Sequence, residues 1–557
     1  MPQWLPLQKN EVLPLFIQQR PSSASLVVRI SRKWNSLHRL NRTFLIGITT
    51  LIIIALIYVQ LVSLPNQIDQ VSDNTSNQKL DVAERKLLPV SLDFSANTTV
   101  PQFHEPTNDR QKAVREAFKH AWKGYKAYAW GHDHLKPISK SYGEWMECGL
   151  TIVDSLDTLL IMNLKDEFDE ARKWVAESLS FEKDVFVNLF ETTIRVLGGL
   201  LTAFHLSSDE IFKVKAIDIG DRLLGAMGSK TPIPFSDVNL KTKEAKQPGW
   251  GGESSLSEVT SIQLEFRDLS RITQNDTFEK AVFRISEHIH KLGCKDHGGL
   301  CGMFVSPVNG EFRKSTTITF GARADSYYEY LLKQWLQTGK TIDWLRDDYA
   351  EAMESMSIKL WRGSQPNNFG FVGELLNGDT FSPKMDHLVC FLAGTLALGT
   401  QHGLPHSHLD MAKNLSRTCF EMYQTLTGLA PEIAYFNMLP GKKEDVIIKP
   451  LDAHSLLRPE AFEAWFYMYR VTGDKMYQDW GWKAFEAIEK YAKVENGYSS
   501  VNSCKKVPVV YRDMMESFFL SESLKYLYLL LADDQTMIPL NRYVFNTEGH
   551  PLPIRAN

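Results

Sequence analysis

The pattern of apolar and polar positions divides the chain into three textures. From Phe44 to Leu64 it runs FLIGITTLIIIALIYVQLVSL, about 21 residues without a charge and long enough to cross a bilayer as a helix. Residues 65–108 are polar, rich in Ser, Asn, Asp and Gln, and punctuated by Pro65, Pro89, Pro101 and Pro106, the composition of a stem. Beyond Asn108, apolar positions recur at helical spacing, separated by short Gly/Pro/Asn/Asp stretches. This periodicity predicts helices over 109–130, 150–163, 166–178, 188–205, 209–226, 254–273, 276–291, 322–338, 343–361, 385–399, 408–426, 458–472, 475–493 and 514–532.

The predicted helices tend to alternate in character. Glu167–Glu177 and Asp474–Lys490 are amphipathic and charged, whereas Val196–Phe204 and Phe518–Leu531 are apolar nearly all round. A helix apolar on every side is buried, so the pattern predicts an inner set of helices wrapped by an outer set. With no tight repeat in view, a closed barrel of helical hairpins is expected rather than a solenoid. Val446–Lys449 and Val507–Tyr511 read as short strands within loops.

Charge orients the apolar run. Arg20, Arg29, Arg32, Lys33, Arg39 and Arg42 precede it, while Asp69 and Asp73 follow before the first base, Lys79. The basic flank predicts a signal anchor with a cytosolic tail over 1–43, a span over 44–64, a lumenal stem over 65–108 and a lumenal body over 109–557. Asn74, Asn97, Asn275 and Asn414 open N-x-S/T sequons on the lumenal side. The six cysteines are free to form disulfides there. Cys294 and Cys301 flank His297 and a Gly-rich turn, but no second pair with zinc-like spacing follows. A net charge of −4 gives no reason to expect nucleic acid as a partner. Nothing in the chain specifies an oligomeric state.

The chemistry-bearing feature is a recurrence of acids inside otherwise apolar helices. In LLRPEAFEAWFYMYR, Glu460 and Glu463 stand three residues apart on neighbouring parts of one helical face, with Arg458 just before them. First-turn acids can also simply answer the helix dipole. Glu191 precedes Arg195 by four residues, the spacing of a helical ion pair, and Gly198 and Gly199 admit a close backbone neighbour. Asp325 either caps its helix, beside the capping-box spacing of Ser326 and Glu329, or serves a site with Arg323. Asp154, Asp157, Glu258, Glu265, Glu432, Glu516 and Glu522 add further acids, and His387 reads as a satisfied core histidine. Burying so many unpaired charges would cost several kcal/mol each. A polar, water-filled axial cavity suited to a polyhydroxylated substrate is the cheaper arrangement.

The segments FETTIRVLGGLL, EVTSIQLEF, GARADSYYEYLLKQW, KMDHLVCFLAGTLALG, LLRPE, ESFFLSESLKYLYLL and VFNTEGHPLPI together resemble glycoside hydrolase family 47, over about residues 109 to 555. The resemblance implies an all-α (α/α)7 barrel plugged at one end by a C-terminal β-hairpin. It further implies an inverting, calcium-dependent exo-α-1,2-mannosidase acting on N-linked high-mannose glycans in the endoplasmic reticulum or early Golgi. Residue by residue, Glu191 matches the general acid, acting through a water, and Glu460 the general base, with Asp325 a third carboxylate and alternative base. Thr547 matches the calcium-binding threonine, which offers its carbonyl and hydroxyl oxygens. Asp154, Arg195, Glu265, Arg323, Glu432, Arg458, Glu463, Phe518, Glu522 and Glu548 match substrate-binding or supporting positions. Cys390 and Cys419 match the family's disulfide.

Two departures stand out. Ala461, Phe462 and Ala464 surround Glu463 where the family runs Thr-Val-Glu-Ser, and Gly549 stands where Ala is usual. A lectin-like receptor of the degradation-enhancing branch is the alternative from another class. The Cys390/Cys419 pair and RADSYYEY favour the processing enzyme, and Arg323 argues against Golgi members, which resemble this segment with leucine.

Overall fold

The computed structural model describes residues 101–249 and 251–555. The apolar run Phe44–Leu64, the tail before it, most of the expected stem and the sequons at Asn74 and Asn97 lie outside the described residues. No described helix is long and apolar enough to cross a membrane.

Helices alternate between an outer and an inner ring along the chain. The outer set is Asp109–Tyr128, Lys165–Glu177, Glu210–Leu223, Thr277–Leu292, Asp343–Lys359, Ser407–Met422 and Met476–Tyr491. The inner set comprises Leu150–Asp154 with Leu156–Ile161, 189–207, Leu256–Thr260 with Gln263–Thr273, Asp325–Gln337, Phe391–Gln401, Glu460–Thr472 and 519–530. Each inner helix packs on the next, and the last, 519–530, returns to the first, closing a ring. The expected (α/α)7 barrel is what the chain forms. Nearly every residue of the inner helix Asp325–Gln337 is buried, whereas the outer Lys165–Glu177 buries only Phe168, Ala171 and Val175. The difference in hydrophobic pattern is thus the difference between ring positions.

Two inner helices widen into π turns at charged residues. Thr193–Leu197 is a π turn carrying Arg195, and Phe519–Ser523 is a second π turn carrying Glu522. One extra residue per turn widens the helix locally, and such insertions concentrate at functional sites. Gly199 is needed for packing: a Cβ there would lie 2.6 Å from the Val153 carbonyl oxygen of the neighbouring inner helix.

A C-terminal hairpin pairs Tyr543–Phe545 with Pro551–Pro553 and packs on the inner helices. Its tip is tied down by Asn546. The Asn546 amide donates to the Ile194 carbonyl at 2.9 Å and to Glu265 at 2.8 Å. Its oxygen accepts the Glu548 and His550 backbone N–H groups. Gly549 has φ of +70°, a left-handed conformation in which glycine pays no Cβ penalty. The expected strand at Val446 covers Val446–Ile447, but Val507–Tyr511 forms only a single bridge, Val501 to Tyr511.

Residues 101–108, counted with the stem by composition, lie against the barrel. Thr107 donates to Asp533, Glu105 pairs with Arg115, and Asn108 caps the first helix by accepting from the Gln111 N–H. Cys390–Cys419 is bridged as the resemblance implied, joining an inner helix to the outer Ser407–Met422. Cys294 and Cys301 are bonded to each other, which removes both thiolates from any zinc site. Cys148 and Cys504 are buried free thiols.

Candidate active site

The barrel axis holds a cavity of about 380 Å³, within the size range of small-molecule sites, roughly 300–1,000 Å³. Its wall contains Glu191, Arg195, Arg323, Asp325, Arg458, Glu460, Phe518, Glu522 and Thr547 together with Glu548, drawn from segments more than 350 residues apart in sequence. Asp154, Glu265, Glu432 and Glu463 do not line it. Asp154 lies near Arg195, Glu432 accepts from Arg458 and Glu463 lies near the buried Lys333, while Glu265 accepts from the Tyr330 hydroxyl and the Asn546 amide.

Glu191 sits in the first turn of its helix, whose cap is Asn188. The Arg195 Nε donates to Glu191 at 2.9 Å, so the helical ion pair forms. Arg195 also pairs with Glu548 and lies 3.9 Å from Asp154. Burial would by itself loosen the Arg195 proton, but these three acids hold it more tightly than in water. The guanidinium is therefore a fixed positive charge joining the catalytic-acid candidate to the hairpin tip.

Glu460 opens the helix Glu460–Thr472, with Pro459 at the cap. Its carboxylate receives two positive or donating neighbours. His387 Nδ1 donates to Oε2 at 2.6 Å, and Arg458 Nη1 lies 3.7 Å from Oε1. Burial opposes ionisation here, but the His387 hydrogen bond and the two neighbouring charges win and hold the Glu460 carboxyl below the usual range. Arg458 is itself anchored, its Nε donating to Glu432 at 2.6 Å. The Phe518 ring lies between the two arginines, 5.9 Å from the Arg195 guanidinium carbon and 5.7 Å from that of Arg458. His387 is buried as expected, but it is a partner of Glu460 and not merely a satisfied core residue; the adjacency was invisible because 73 residues separate the two.

Asp325 is no helix cap: Ala324 occupies that position without a side-chain bond, and the capping box forms instead at Ser255 and Glu258. Asp325 accepts from the Ser257 hydroxyl at 2.8 Å and the Ser326 N–H at 2.9 Å. Although its carboxyl keeps some exposure to the cavity, burial outweighs these bonds and pushes it up to about 7. Glu258, one of the acids noted in sequence, also lines the wall, with Ser255 and Ser257, which sequence spacing did not single out.

Several acids expected to face the cavity are instead neutralised inside the wall. Asp157 lies 2.6 Å from Lys525 Nζ and 3.2 Å from His550 Nδ1. Asp154 meets His550 Nε2 at 3.1 Å and accepts from Ser521 at 3.1 Å. Burial alone would lower the His550 imidazole, but the two aspartates raise it. Glu329 pairs with the buried Lys333, which also lies 3.5 Å from Glu463. Lys333 and Lys525, each in an apolar helix, were the available signal.

At the hairpin tip the balance is negative. Burial, then Lys333 in opposition and Glu329 and Glu460 in support, leave the Glu463 carboxyl raised to about 8. Burial and the neighbouring Glu548 raise Glu522 well above the ordinary value, and burial likewise raises Glu548 against the pull of Arg195. Burial raises Glu265 to about 7 despite bonds from Tyr330 and Asn546, and its second oxygen has no hydrogen-bond partner. Thr547 stands among these acids and lines the cavity.

The sequence profile described as Glycosyl hydrolase family 47 matches residues 117–554. The endoplasmic reticulum mannosyl-oligosaccharide 1,2-alpha-mannosidase of Rattus norvegicus is 56% identical over 457 residues, spanning 81% of this chain and 69% of the rat protein. The protein of the same description from Mus musculus is 56% identical over 459 residues, with the same shares of 81% and 69%. Among solved structures, the alpha-1,2-mannosidase from Trichoderma reesei matches with a TM-score of 0.75 at 27% identity, covering 81% of this chain and all of that one. With most of its length matched by the family profile and 56% identity to a relative over 81% of the chain, the chain belongs to glycosyl hydrolase family 47.

Proposed function

We propose that the protein is an inverting exo-α-1,2-mannosidase that trims terminal α-1,2-linked mannose from N-linked high-mannose glycans. One observation carries this reading: Glu191 and Glu460 share one polar cavity, each beside its own arginine, with the Phe518 ring between the arginines. Inversion needs a base to activate water on one face of the sugar and an acid to protonate the leaving oxygen on the other. Glu460 takes the proton from the water as its oxygen bonds to C1. The C1–O bond breaks, and the leaving oxygen receives a proton delivered from Glu191 through a second water. Charge supports Glu460 over Asp325 as the base. A base must be ionised; His387 and Arg458 keep Glu460 so, whereas burial keeps Asp325 protonated up to about 7. The lectin-like alternative is not favoured, since close relatives carry the names of mannosidases.

Calcium fits the hairpin tip. The donor set is entirely hard oxygen, the Glu265 oxygen lacks a partner, and the mutual crowding of Glu522, Glu548 and Glu463 is the kind a divalent cation relieves. Among the described residues no three His, Cys, Asp or Glu side chains are grouped to hold an ion directly. Thr547 would therefore hold it through its carbonyl and hydroxyl oxygens, with waters bonded to the carboxylates. When bound, the ion supplies a positive charge that orients sugar hydroxyls.

The proposed organisation is a tail over 1–43, an anchor over 44–64 and a stem over 65–108, whose last residues pack on the lumenal catalytic body 109–557, in the endoplasmic reticulum membrane. Protease added to sealed microsomes is expected to clip only the tail; digestion of the body would reverse the topology. The activity is tested by NMR of the sugar released from a high-mannose oligosaccharide. Free mannose appearing first as the β anomer supports inversion; first appearance as α refutes it.

A further inference from the structure

Arg323 stands exposed at the cavity mouth in a costly backbone conformation, φ +81°, just before the helix Asp325–Gln337. A left-handed conformation costs a non-glycine residue of order 1–2 kcal/mol, and such strain persists only where the surroundings enforce it. Part of that enforcement is on the page: the Arg323 carbonyl accepts the Ser257 N–H at 2.9 Å. The backbone is thereby pinned, but a long side chain on a pinned backbone still has several rotatable bonds. Its guanidinium lies 5.6 Å from the ring centre of Phe304.

Phe304 is built as a platform. Its strand, Phe304–Val305, pairs with Ser254–Ser255, so that Phe304 is the partner of Ser255 in the cavity wall. Its carbonyl accepts the Arg313 N–H at 2.9 Å. The Arg313 guanidinium sits 4.7 Å from the ring centre and pairs with Glu253. Upstream, the neighbouring Met303 carbonyl accepts the Leu256 N–H at 3.0 Å, and Cys301 is bridged to Cys294 with its N–H donating to the Tyr328 hydroxyl at 3.1 Å. The ring is therefore held by backbone pairing and a nearby covalent link, and it presents its negative face to Arg323.

We propose that Phe304 is a positioning residue for Arg323, holding the guanidinium fork aimed across the cavity mouth, and so sets which terminal mannose branch is removed first. The inference rests on the glycan-trimming reading above and takes Arg323, a guanidinium in the cavity wall where Golgi members resemble this segment with leucine, as the group that discriminates between branches. A flexible cation would meet the hydroxyls of several branches; one stacked on a fixed ring offers its five donors in one orientation. The Cys294–Cys301 bridge belongs to the same device, since it anchors the segment that carries the ring.

The test follows the order of products from a branched high-mannose oligosaccharide, read by NMR or chromatography, in Phe304→Leu, Phe304→Tyr, Arg323→Leu and the double variant Phe304→Leu/Arg323→Leu. Loss of an exposed cation–π contact is expected to shift branch preference about 2–5-fold in Phe304→Leu. Phe304→Tyr keeps an aromatic face and should restore the native order. In the Arg323→Leu background Phe304→Leu should add nothing, because a ring that acts only through Arg323 has nothing left to position. A native order in Phe304→Leu alongside an altered one in Arg323→Leu overturns the positioning role alone. So does an additive effect in the double variant, or failure of Phe304→Tyr to restore the order. A native order in Arg323→Leu itself removes the branch-selecting role of Arg323, and the inference falls with it. Thermal midpoints for all four variants identify any that lose branch preference only by unfolding.

Discussion

His387 donates a hydrogen bond from Nδ1 to the Glu460 carboxylate at 2.6 Å, while its Nε2 lies 3.0 Å from the Tyr423 hydroxyl. This buried chain orients the imidazole ring and turns one carboxylate oxygen of Glu460 toward the protein. The other oxygen is left toward Arg458, at the cavity. The bond also helps depress the Glu460 carboxyl. A group with a lowered folded-state pKa contributes stability above its unfolded value, 4.5, and loses it as pH falls through the folded one. In His387→Ala the acid limb of kcat/KM should therefore move to higher pH. Hydrogen bonds to charged groups contribute about 1.5–3 kcal/mol, so activity on the acid side should drop about tenfold or more. A pH–rate profile checks this; an unmoved acid limb would show that His387 does not tune Glu460.

Glu191→Gln and Glu460→Gln should each lower turnover by about 10²–10⁴-fold, the usual worth of general acid–base assistance. Because the amide keeps the size of the acid, substrate binding to both variants should survive, measurable by calorimetry with a high-mannose oligosaccharide. Near-native turnover in either variant would remove that residue from the mechanism.

Asp325 has the opposite sign. Its carboxyl is raised from 3.8 to about 7 by burial, so the folded state binds its proton more tightly than the unfolded chain. The associated stability is complete below 3.8 and is lost as pH rises toward about 7. Asp325→Asn removes the cost of ionisation, so its melting temperature should gain on the native protein as pH rises from about 4 to 7. Calorimetric scans across that window would reveal a constant difference if Asp325 were not desolvated.

Chelation should abolish activity and lower the melting temperature together, with calcium restoring both. A ligand bound only by the folded state stabilises by about 2.7 kcal/mol at a hundredfold excess over its dissociation constant. Thr547→Ala should need more calcium for the same protection. Full activity in chelator would exclude the ion from the site.

The bridge Cys390–Cys419 closes a loop over a separation of 29 residues, which the chain-entropy account values at about 3–4 kcal/mol. Cys294–Cys301, with a separation of 7, constrains far less of the unfolded chain. Cys390→Ser should therefore lower the melting temperature more than Cys294→Ser. Non-reducing peptide mapping should find both bridges, with Cys148 and Cys504 as free thiols.

The two-ring barrel was legible in the sequence because burial on one side or on all sides is written in the period of apolar residues. Val196–Phe204 and Glu167–Glu177 differ in that period for no other reason than their ring. The recurrence of acids in inner helices likewise marked where chemistry lies, since unpaired buried charge is too costly to persist by chance. What the one-dimensional pattern could not carry is which charges meet. Asp157 and Glu191 look alike in sequence, yet Lys525 and His550 neutralise the first inside the wall while the second faces the cavity. His387 and Glu460, and likewise Phe304 and the fork of Arg323, become neighbours only when the ring closes. Local periodicity records how deeply a residue is buried; charge pairing depends on contacts between segments far apart in the chain, and only the folded ring brings those together.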